Sequence, residues 1–301
     1  MIQFILKRLS FIAVVSLIII YLVFLGMGMA RNSEVANPNY DLVSHSQAAW
    51  AKTRLFVNDL AHGDWGTYTS DTGIVEIGTM VRTSFVNSMG LLLVALGGAA
   101  LLGTYLGSVA ALRQRSSLLL LSVSVLGISA PSFFAAILLQ QGVIRYTAVY
   151  GRRILSVGGF GWDVDHMLLP VLVLSARPLA YLTRASFISL GHVMQQDYIR
   201  TAYAKGLGRI RAVNYHAVPN ILIPVLTAVG VSLRFSLSTL PVVELFFGWP
   251  GMGNRLLDAI NNRQTPVVAA LAFTLGLTFF SINLLLDIIY RWVDPRLREE
   301  A

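Results

Sequence analysis

Residues 197–224 read DYIRTAYAKGLGRIRAVNYHAVPNILIP, a basic stretch with two glycines between two long apolar segments. The apolar segments on either side, residues 168–190 and 221–245, are each long enough to cross a bilayer as a helix, which needs about 20 residues. A charged loop between two such segments is stable only in water. Its excess of Arg and Lys predicts that it lies on the cytoplasmic side of the membrane.

The order of residues within this loop predicts a helix–turn–helix. Ala202 favours helix, whereas Gly206 and Gly208 interrupt it. A second helical stretch is expected to end before Pro219 and Pro224. Such an element is suited to docking into a groove on a soluble partner. The alternative is a basic loop that only sets the orientation of the chain in the membrane.

The loop resembles the EAA loop of ABC importer permeases, with residues 200–202 in the place of the EAA triplet. It is similar to the peptide and nickel permease branch, whose loops read RTA-x-AKGL and HA-x-x-N-x-x-x-P, here residues 200–207 and 216–224. The resemblance implies that this loop couples the membrane subunit to an ATPase. The residues implied in that role are Arg200, Thr201, Ala202, Lys205, Gly206, Leu207, Arg209 and His216.

Four further segments resemble the same family and occur in the family's order. They are GDWGTYTSDTGI at 63–74, APSFF at 130–134, VVELFFGWPGMGNRLLDAI at 242–260 and NLLLDIIYRWVDPRLR at 283–298. In relatives these are an external segment, a third-span motif, the last external loop and the C-terminal signature. The chain therefore resembles the binding-protein-dependent transport inner-membrane component family, in its dipeptide, oligopeptide and nickel branch.

Composition independently indicates a membrane protein, with 55% hydrophobic residues, 13% charged residues and a mean hydropathy of +0.66. A sixth apolar segment, at residues 166–190, contains Arg177 and Arg184. Together the segments predict an all-α protein with six transmembrane helices, and the resemblance implies a type I ABC importer permease with a cytoplasmic coupling helix. The five segments free of Asp, Glu, Lys and Arg are residues 9–30, 83–112, 116–144, 212–233 and 264–286.

The sequence divides into an N-terminal transmembrane helix (1–30), an external insertion (31–82) and a permease core (83–301) that carries five transmembrane helices. The first helix lacks a small-residue cleavage pattern before Arg31, so it is interpreted as a retained anchor rather than a signal peptide. The insertion mixes polar and aromatic residues such as Trp50, and it is expected to be ordered.

Charge predicts the orientation. Six spans place both termini on one side, and with the termini inside, bases outnumber acids in the inner segments and equal them in the outer ones. The resemblance implies a multi-pass protein of a bacterial or archaeal cytoplasmic (inner) membrane, with both termini cytoplasmic. The net charge of +8 fits that orientation and anionic lipid headgroups, and no nucleic-acid partner is predicted.

The sequence offers no constellation for catalysis or for a resident metal. It has no cysteine, and its five histidines are scattered without paired spacing. It contains no P-loop and no nucleophile elbow, so the chain is predicted not to be an enzyme and to have no cofactor. A self-contained secondary transporter or channel is the alternative function, although it would favour inverted repeats or ion-coupling charges in several spans.

Charged residues within the predicted spans mark a candidate translocation path. A charged side chain at that depth must pair or face water. Arg177 and Arg234 either contact a carboxylate or carbonyl of the transported solute, or they pair with Glu244 or snorkel. The glycines and proline of residues 246–254 predict a re-entrant or external turn tipped by Trp249. The candidate path or gate therefore comprises Arg177, Arg234, Glu244, Phe246 and Trp249.

Small residues and prolines predict local helix geometry. Gly97, Gly98, Gly103 and Gly107 have the spacing that lets membrane helices approach closely. Pro131 is expected to lie within a helix and to bend it.

The resemblance also implies an assembly. A second homologous permease subunit would pair with this one in the lipid bilayer, and two cytoplasmic ATP-binding subunits would bind ATP and Mg²⁺ below them. An extracytoplasmic solute-binding protein would deliver a peptide or a similar small solute from outside.

Overall fold

The structure of the protein is a computed structural model, which describes residues 2–32, 42–70, 73–113, 127 and 129–293. This part of the chain is helical except for connecting turns and one hairpin, β1 (Thr67–Ser70) and β2 (Gly73–Glu76). A π-helix, Val213–Ala217, precedes α8. The α-helices are α1 (Ile2–Asn32), α2 (Leu42–Ala61), α3 (Ile77–Leu112), α4 (Ser132–Tyr150), α5 (Val164–Val193), α6 (Asp197–Ala204), α7 (Arg209–Ala212), α8 (Val218–Phe247), α9 (Met252–Asn261) and α10 (Thr265–Val293).

Five helical segments of the described chain are long and apolar enough to cross a membrane. They are Gln3–Ala30, Ile77–Leu112, Val164–Val193, Arg209–Phe247 and Thr265–Arg291. These segments correspond to five of the six predicted spans, and they confirm the all-α membrane class. The remaining predicted span, residues 116–144, begins outside the described residues, and its later part lies in α4.

The chain divides into two compact units. The first contains Met1–Ser88 and Pro250–Ile288, and the second contains Met89–Trp249 and Ile289–Ala301. The second unit carries the loop of residues 197–224 and the membrane arginines.

In the first unit α2 packs against α1, so the insertion is ordered where it is described. Ile20 and Phe24 of α1 share a buried apolar cluster with Ala49 of α2. At the other end of α1, Arg8 Nη2 lies 2.8 Å from Asp287 Oδ2 of α10. This ion pair gives the acid of the C-terminal signature a structural partner within the same unit.

A tight turn and the hairpin precede α3. The Gly66 amide donates to Asp64 Oδ1 at 2.7 Å, and the Ile77 amide donates to the Gly66 carbonyl at 3.1 Å. The two strands pair antiparallel, with Thr67 opposite Glu76. α3 begins at Ile77, so this long helix starts inside the segment that the sequence assigns to the insertion.

The second unit is built on α5 and α8, which pack antiparallel. Leu174 of α5 shares a buried cluster with Leu240 of α8, whereas Leu190 shares another cluster with Ile221. Residue numbers therefore decrease along α8 in the direction in which they increase along α5, as antiparallel packing requires. Van der Waals packing of such side chains drives the association of membrane helices, because lipid tails are as apolar as the side chains themselves.

α3 approaches α5 closely at two glycines. A Cβ atom at Gly107 would lie 2.3 Å from the carbonyl oxygen of Thr183, and one at Gly103 would lie 2.9 Å from a side-chain carbon of α5. The predicted small-residue packing is confirmed at these two positions. At Gly97 and Gly98, an added Cβ would meet nothing within 4 Å.

The prediction that Pro131 bends a helix from within is wrong. Pro131 is the N-cap of α4, with φ −62° and ψ 136°, and its carbonyl accepts from the Ala135 amide at 3.1 Å. A proline disfavours helical geometry at the residue before it, so the chain changes direction at Ala130 and a new helix begins at Ser132.

Candidate functional site

The first half of the predicted coupling loop is α6, which has one buried face. Ile199 belongs to an apolar cluster with residues of α5 and α8, and this contact fixes the helix on the second unit; Ala202 is also buried. Thr201 Oγ1 donates to the Asp197 carbonyl at 2.9 Å. The other predicted coupling residues on or beside α6, which are Arg200, Thr201 and Lys205, are exposed.

Gly206 forms the turn that the sequence predicts. Its φ is +82°, in the left-handed region that glycine adopts without steric cost. The Gly206 amide donates to the Tyr203 carbonyl at 2.9 Å, and the Leu207 amide donates to the Ala202 carbonyl at 3.2 Å. These two bonds satisfy carbonyls at the end of α6 and aim the chain toward α7.

The expectation that the second helix ends before Pro219 is wrong. α7 continues through the π-helix into α8, and the Val218 amide donates to the Val213 carbonyl five residues back. Pro219 lies in the first turn of α8, directly after the π-helix, and Pro224 lies inside α8. His216 belongs to the π-helix, and its carbonyl accepts from Asn220 Nδ2 at 2.7 Å. The loop is therefore continuous with a long apolar helix.

Arg209 joins the loop to α3. Its Nη2 donates to the Leu112 carbonyl at 2.7 Å, which is the carbonyl of the last residue of α3. A guanidinium at this position satisfies a terminal carbonyl and interacts favourably with the negative end of the helix dipole. Arg209 is thus a structural tie as well as a surface charge.

The outer face of the loop combines apolar and basic side chains. Ile210 is 77% exposed and Tyr215 is 74% exposed. Arg200, Lys205 and Arg211 are exposed on the same loop. Large apolar side chains that are exposed on a loop beside basic ones are consistent with a docking site.

Arg177 lines a cavity of about 240 Å³ in the second unit. Its guanidinium lies 5.3 Å from the ring centre of Phe235, a cation–π contact between α5 and α8. The cavity also brings Ala130, Pro131 and Ser132 of the APSFF region beside Arg177. Two features that the sequence treats separately therefore form one site.

Arg234 and Glu244 both lie on α8. Ten residues of helix separate them, which corresponds to about 15 Å along the axis. Glu244 is buried, and its backbone carbonyl accepts from the Trp249 amide at 2.9 Å. The choice between solute contact and ion pairing for Arg234 stays a prediction.

Trp249 does not tip an exposed turn, which corrects the prediction. Its side chain is fully buried, with ring centres 4.9 Å from Phe160 and 5.3 Å from Trp162. The turn itself is present, because α8 ends at Phe247 with Gly248 in the left-handed region at φ +63°. An indole is a large apolar surface, so it packs inward against other aromatic rings.

Gln140 holds the end of α8 to the α4–α5 loop. Its Nε2 donates to the Val157 carbonyl at 2.7 Å and to the Phe246 carbonyl at 2.9 Å. Gln140 is not among the site residues predicted from the sequence. A polar amide inside the predicted span 116–144 was the available signal, because polar groups at membrane depth need partners. The aromatic partners Phe160 and Trp162 carried no comparable signal.

Asp163 and His166 form an exposed cap at the start of α5. The His166 amide donates to Asp163 Oδ1 at 3.1 Å, and His166 Nδ1 lies 2.9 Å from Asp163 Oδ2. The side-chain hydrogen bond with His166 lowers the pKa of Asp163. Asp165, which lies 3.4 Å from Arg153, brings a third possible ligand atom to this group. The predicted absence of a metal stays a prediction.

In the first unit, α3 holds the turn that leads into α9. Ser88 Oγ accepts from the Met252 amide at 2.7 Å, and Asn87 Nδ2 donates to the Pro250 carbonyl at 3.1 Å. Ser88 is buried, so this tie is shielded from water.

Long apolar helices and a basic loop continuous with one of them define a polytopic membrane protein. Residues 99–299 match the family described as "Binding-protein-dependent transport system inner membrane component". The chain belongs to this family, and it is the transmembrane permease subunit of an ABC importer, with the type I permease fold.

Relatives of the chain are named as permease proteins of dipeptide or glutathione transport systems. The chain is 31% identical over 274 residues to the dipeptide transport system permease protein DppB of Alkalihalophilus pseudofirmus, covering 83% of this chain and 81% of the relative. It is 31% identical over 315 residues to the glutathione transport system permease protein GsiC of Salmonella paratyphi A, covering 99% of both. The match to Escherichia coli K12 DppB is 39% over 154 residues, spanning 51% of this chain and 44% of that relative.

Proposed function

We propose that this subunit moves peptides, or a similar small solute, that an extracytoplasmic binding protein delivers. The support is the peptide and glutathione transport named for its relatives, together with the RTA-x-AKGL loop of the peptide and nickel branch. A nickel chelate is the competing solute, because that branch contains both kinds of permease.

The proposed assembly contains two permeases and two ATPases. A second homologous permease pairs with this subunit to enclose one path, and two cytoplasmic subunits bind ATP and Mg²⁺. This subunit contributes no ATP hydrolysis of its own. Membership of a binding-protein-dependent system supports the external partner, and the exposed apolar and basic face of the loop supports the ATPase partner.

The main observation in support of coupling between the ATPases and the membrane path is that the loop is physically continuous with the membrane helices. The loop packs on the second unit through Ile199, joins α3 through Arg209, and runs through the π-helix into α8. Closure of the ATPases would push residues 201–214 as a lever. α5 and α8 would carry that motion to the end of α8, near residues 246–252.

The gate is proposed at that end of α8. Phe246 is held through its carbonyl by Gln140, and Trp249 is locked among aromatic rings. Closely packed groups move as a unit rather than deform, so a push along α8 would shift the whole aromatic cluster. In the proposed orientation both termini and the loop are cytoplasmic, and the gate faces outward.

The test uses the complete complex in proteoliposomes. A dipeptide-loaded binding protein should stimulate both ATP hydrolysis and uptake of labelled dipeptide. If a nickel chelate is taken up and no peptide is, the solute class is wrong although the importer assignment stands. If this subunit copurifies with neither an ATPase nor a second permease, the proposed assembly is wrong.

A further inference from the structure

The cavity beside Arg177 is formed by three helices of the second unit. The start of α4, the middle of α5 and the middle of α8 line its volume of about 240 Å³. Pockets that enclose a drug-sized ligand are about 300–1,000 Å³, so this cavity has room for one end of a solute. Among the described residues that line it, Arg177 is the one with a charged side chain.

Arg177 lies deep in the membrane. It is the fourteenth residue of α5, about 20 Å along the helix from its start and slightly further from its end. Lipid phosphates lie at the bilayer surface, outside a hydrocarbon core about 30 Å thick, so a headgroup does not reach this depth. An anion that meets Arg177 must enter by the translocation path.

The start of α4 adds further donors to the cavity. The first amides of a helix lack intrahelical partners, and the helix dipole makes this end positive. Pro131 at the N-cap provides no side-chain hydrogen bond to these amides. Pro131, Ser132 and Phe133 all line the cavity.

Ser236 is a second polar residue of the cavity. Ser236 lines the cavity, and the residue is only 2% exposed. Its Oγ has no hydrogen-bond partner within the described residues. A buried hydroxyl normally has a partner, because leaving it unsatisfied costs about 1–3 kcal/mol. The cavity thus combines a guanidinium, a helix N-terminus and an unsatisfied buried hydroxyl.

We propose that this cavity binds the carboxylate of the transported solute, in a peptide its C-terminal carboxylate. The inference rests on the proposed peptide function and adds a specific recognition site to it. Arg177 would bind the carboxylate with parallel N–H donors, and the α4 amides and the Ser236 hydroxyl would complete its coordination. Phe235 holds the guanidinium in place from one side by the cation–π contact.

The experiment compares two solutes in proteoliposomes that contain the complete transporter. The solutes are labelled Ala-Ala and its C-terminal amide, each at a concentration that loads the binding protein equally. Arg177→Gln should slow uptake of Ala-Ala about tenfold or more, the effect of losing a charge-assisted hydrogen bond. Uptake of the amide should be slow in the unchanged protein and unaffected by Arg177→Gln. Ser236→Ala should give a smaller loss, again confined to Ala-Ala.

Arg184→Gln is the matched control, because Arg184 is an exposed arginine of α5 seven residues further on that does not line the cavity. It should leave the ratio of the two uptake rates unchanged. ATP hydrolysis stimulated by the loaded binding protein reports assembly and should stay within about twofold in every variant.

The proposal is overturned if Arg177→Gln moves Ala-Ala at the unchanged rate, or if it slows both solutes equally. It is also overturned if anionic lipid in the vesicles abolishes the difference between the solutes, since the anion would then be a phosphate. If the unchanged complex moves neither solute although its ATPase responds to another loaded solute, the peptide function has failed. If only the proposed carboxylate site is wrong, the unchanged protein still takes up Ala-Ala, so the two failures are distinguishable.

Discussion

Arg209 Nη2 donates a hydrogen bond of 2.7 Å to the carbonyl oxygen of Leu112, the last residue of α3. The two residues are 97 positions apart in the sequence. This bond connects the loop to a helix that is not its neighbour in the sequence. If the loop is displaced, this bond would carry the motion to α3 as well as to α5 and α8, the helices that the loop joins directly.

Arg209→Ala should loosen this connection. An exposed charge at a helix end contributes about 0.3–1 kcal/mol, so the protein should still fold. We expect fewer solute molecules moved per ATP hydrolysed, measured in proteoliposomes as uptake against phosphate release. Arg184→Ala removes an exposed charge from α5, outside the loop, and serves as the control. Equal coupling ratios in the two variants would show that the Leu112 contact has no role in transmission.

Gly206→Asp should abolish solute-stimulated ATP hydrolysis while the membrane helices stay folded. The site has space for a side chain but holds φ at +82°, which Asn and Asp tolerate better than other residues. The dominant effect of Asp is then its negative charge on the basic surface of the loop, which is the proposed ATPase contact. Gly206→Asn has the same shape without the charge and should keep most of the activity. Near-normal transport by the Asp variant would contradict the assignment of this loop as the ATPase contact.

Gln140→Leu should destabilise the second unit. The substitution removes the two part-buried hydrogen bonds to the Val157 and Phe246 carbonyls, each of which contributes about 0.5–1.5 kcal/mol. The measurement is the thermal unfolding midpoint of the purified protein in detergent. Gln141→Leu changes the exposed neighbour in the same way and should shift the midpoint little. A larger shift for Gln141→Leu would refute the role given to Gln140.

Asp163→Asn should weaken the cap of α5 in a pH-dependent manner. The hydrogen bond with His166 lowers the Asp163 pKa below its ordinary value of 3.8, so folding favours the carboxylate. The stabilisation is present above 3.8 and is lost as the pH falls through the lower folded pKa. The unfolding midpoint of the unchanged protein should exceed that of the variant at neutral pH, and the gap should narrow below 3.8.

Asp165 and Arg153 lie beside this cap and are the other charged groups to control. Asp165→Asn breaks an exposed ion pair of 3.4 Å, which contributes little, so its midpoint should stay near that of the unchanged protein. A gap between the unchanged protein and Asp163→Asn that stays constant on acidification would exclude the Asp163–His166 bond as its cause.

The features that could be predicted from the sequence are those that depend on a few neighbouring residues. Apolar length identified the spans, and the glycine at 206 identified its turn, since both depend on neighbouring residues alone. The end of the second loop helix was misplaced because a proline usually ends a helix, whereas here a π-helix precedes Pro219 and the chain stays helical through it. Long-range partners were not predictable. Nothing near Trp249 in the sequence indicates that Phe160 and Trp162 enclose it, and nothing near Leu112 indicates Arg209.

Single cysteines should map the orientation, since the native chain has none. Trp249 is unsuitable for external labelling because it is buried, so Asp258 of α9, which is exposed, replaces it as a reporter beside Trp50. In intact cells an impermeant thiol reagent should label Trp50→Cys and Asp258→Cys but not Ile210→Cys. Ile210 is 77% exposed, so its protection would reflect the membrane rather than burial. Lysed cells supply the control, because all three positions should then react. If Ile210→Cys alone were labelled in intact cells, the topology would be the reverse of the proposed one. The loop would then lie outside the cell, where no cytoplasmic ATPase could reach it.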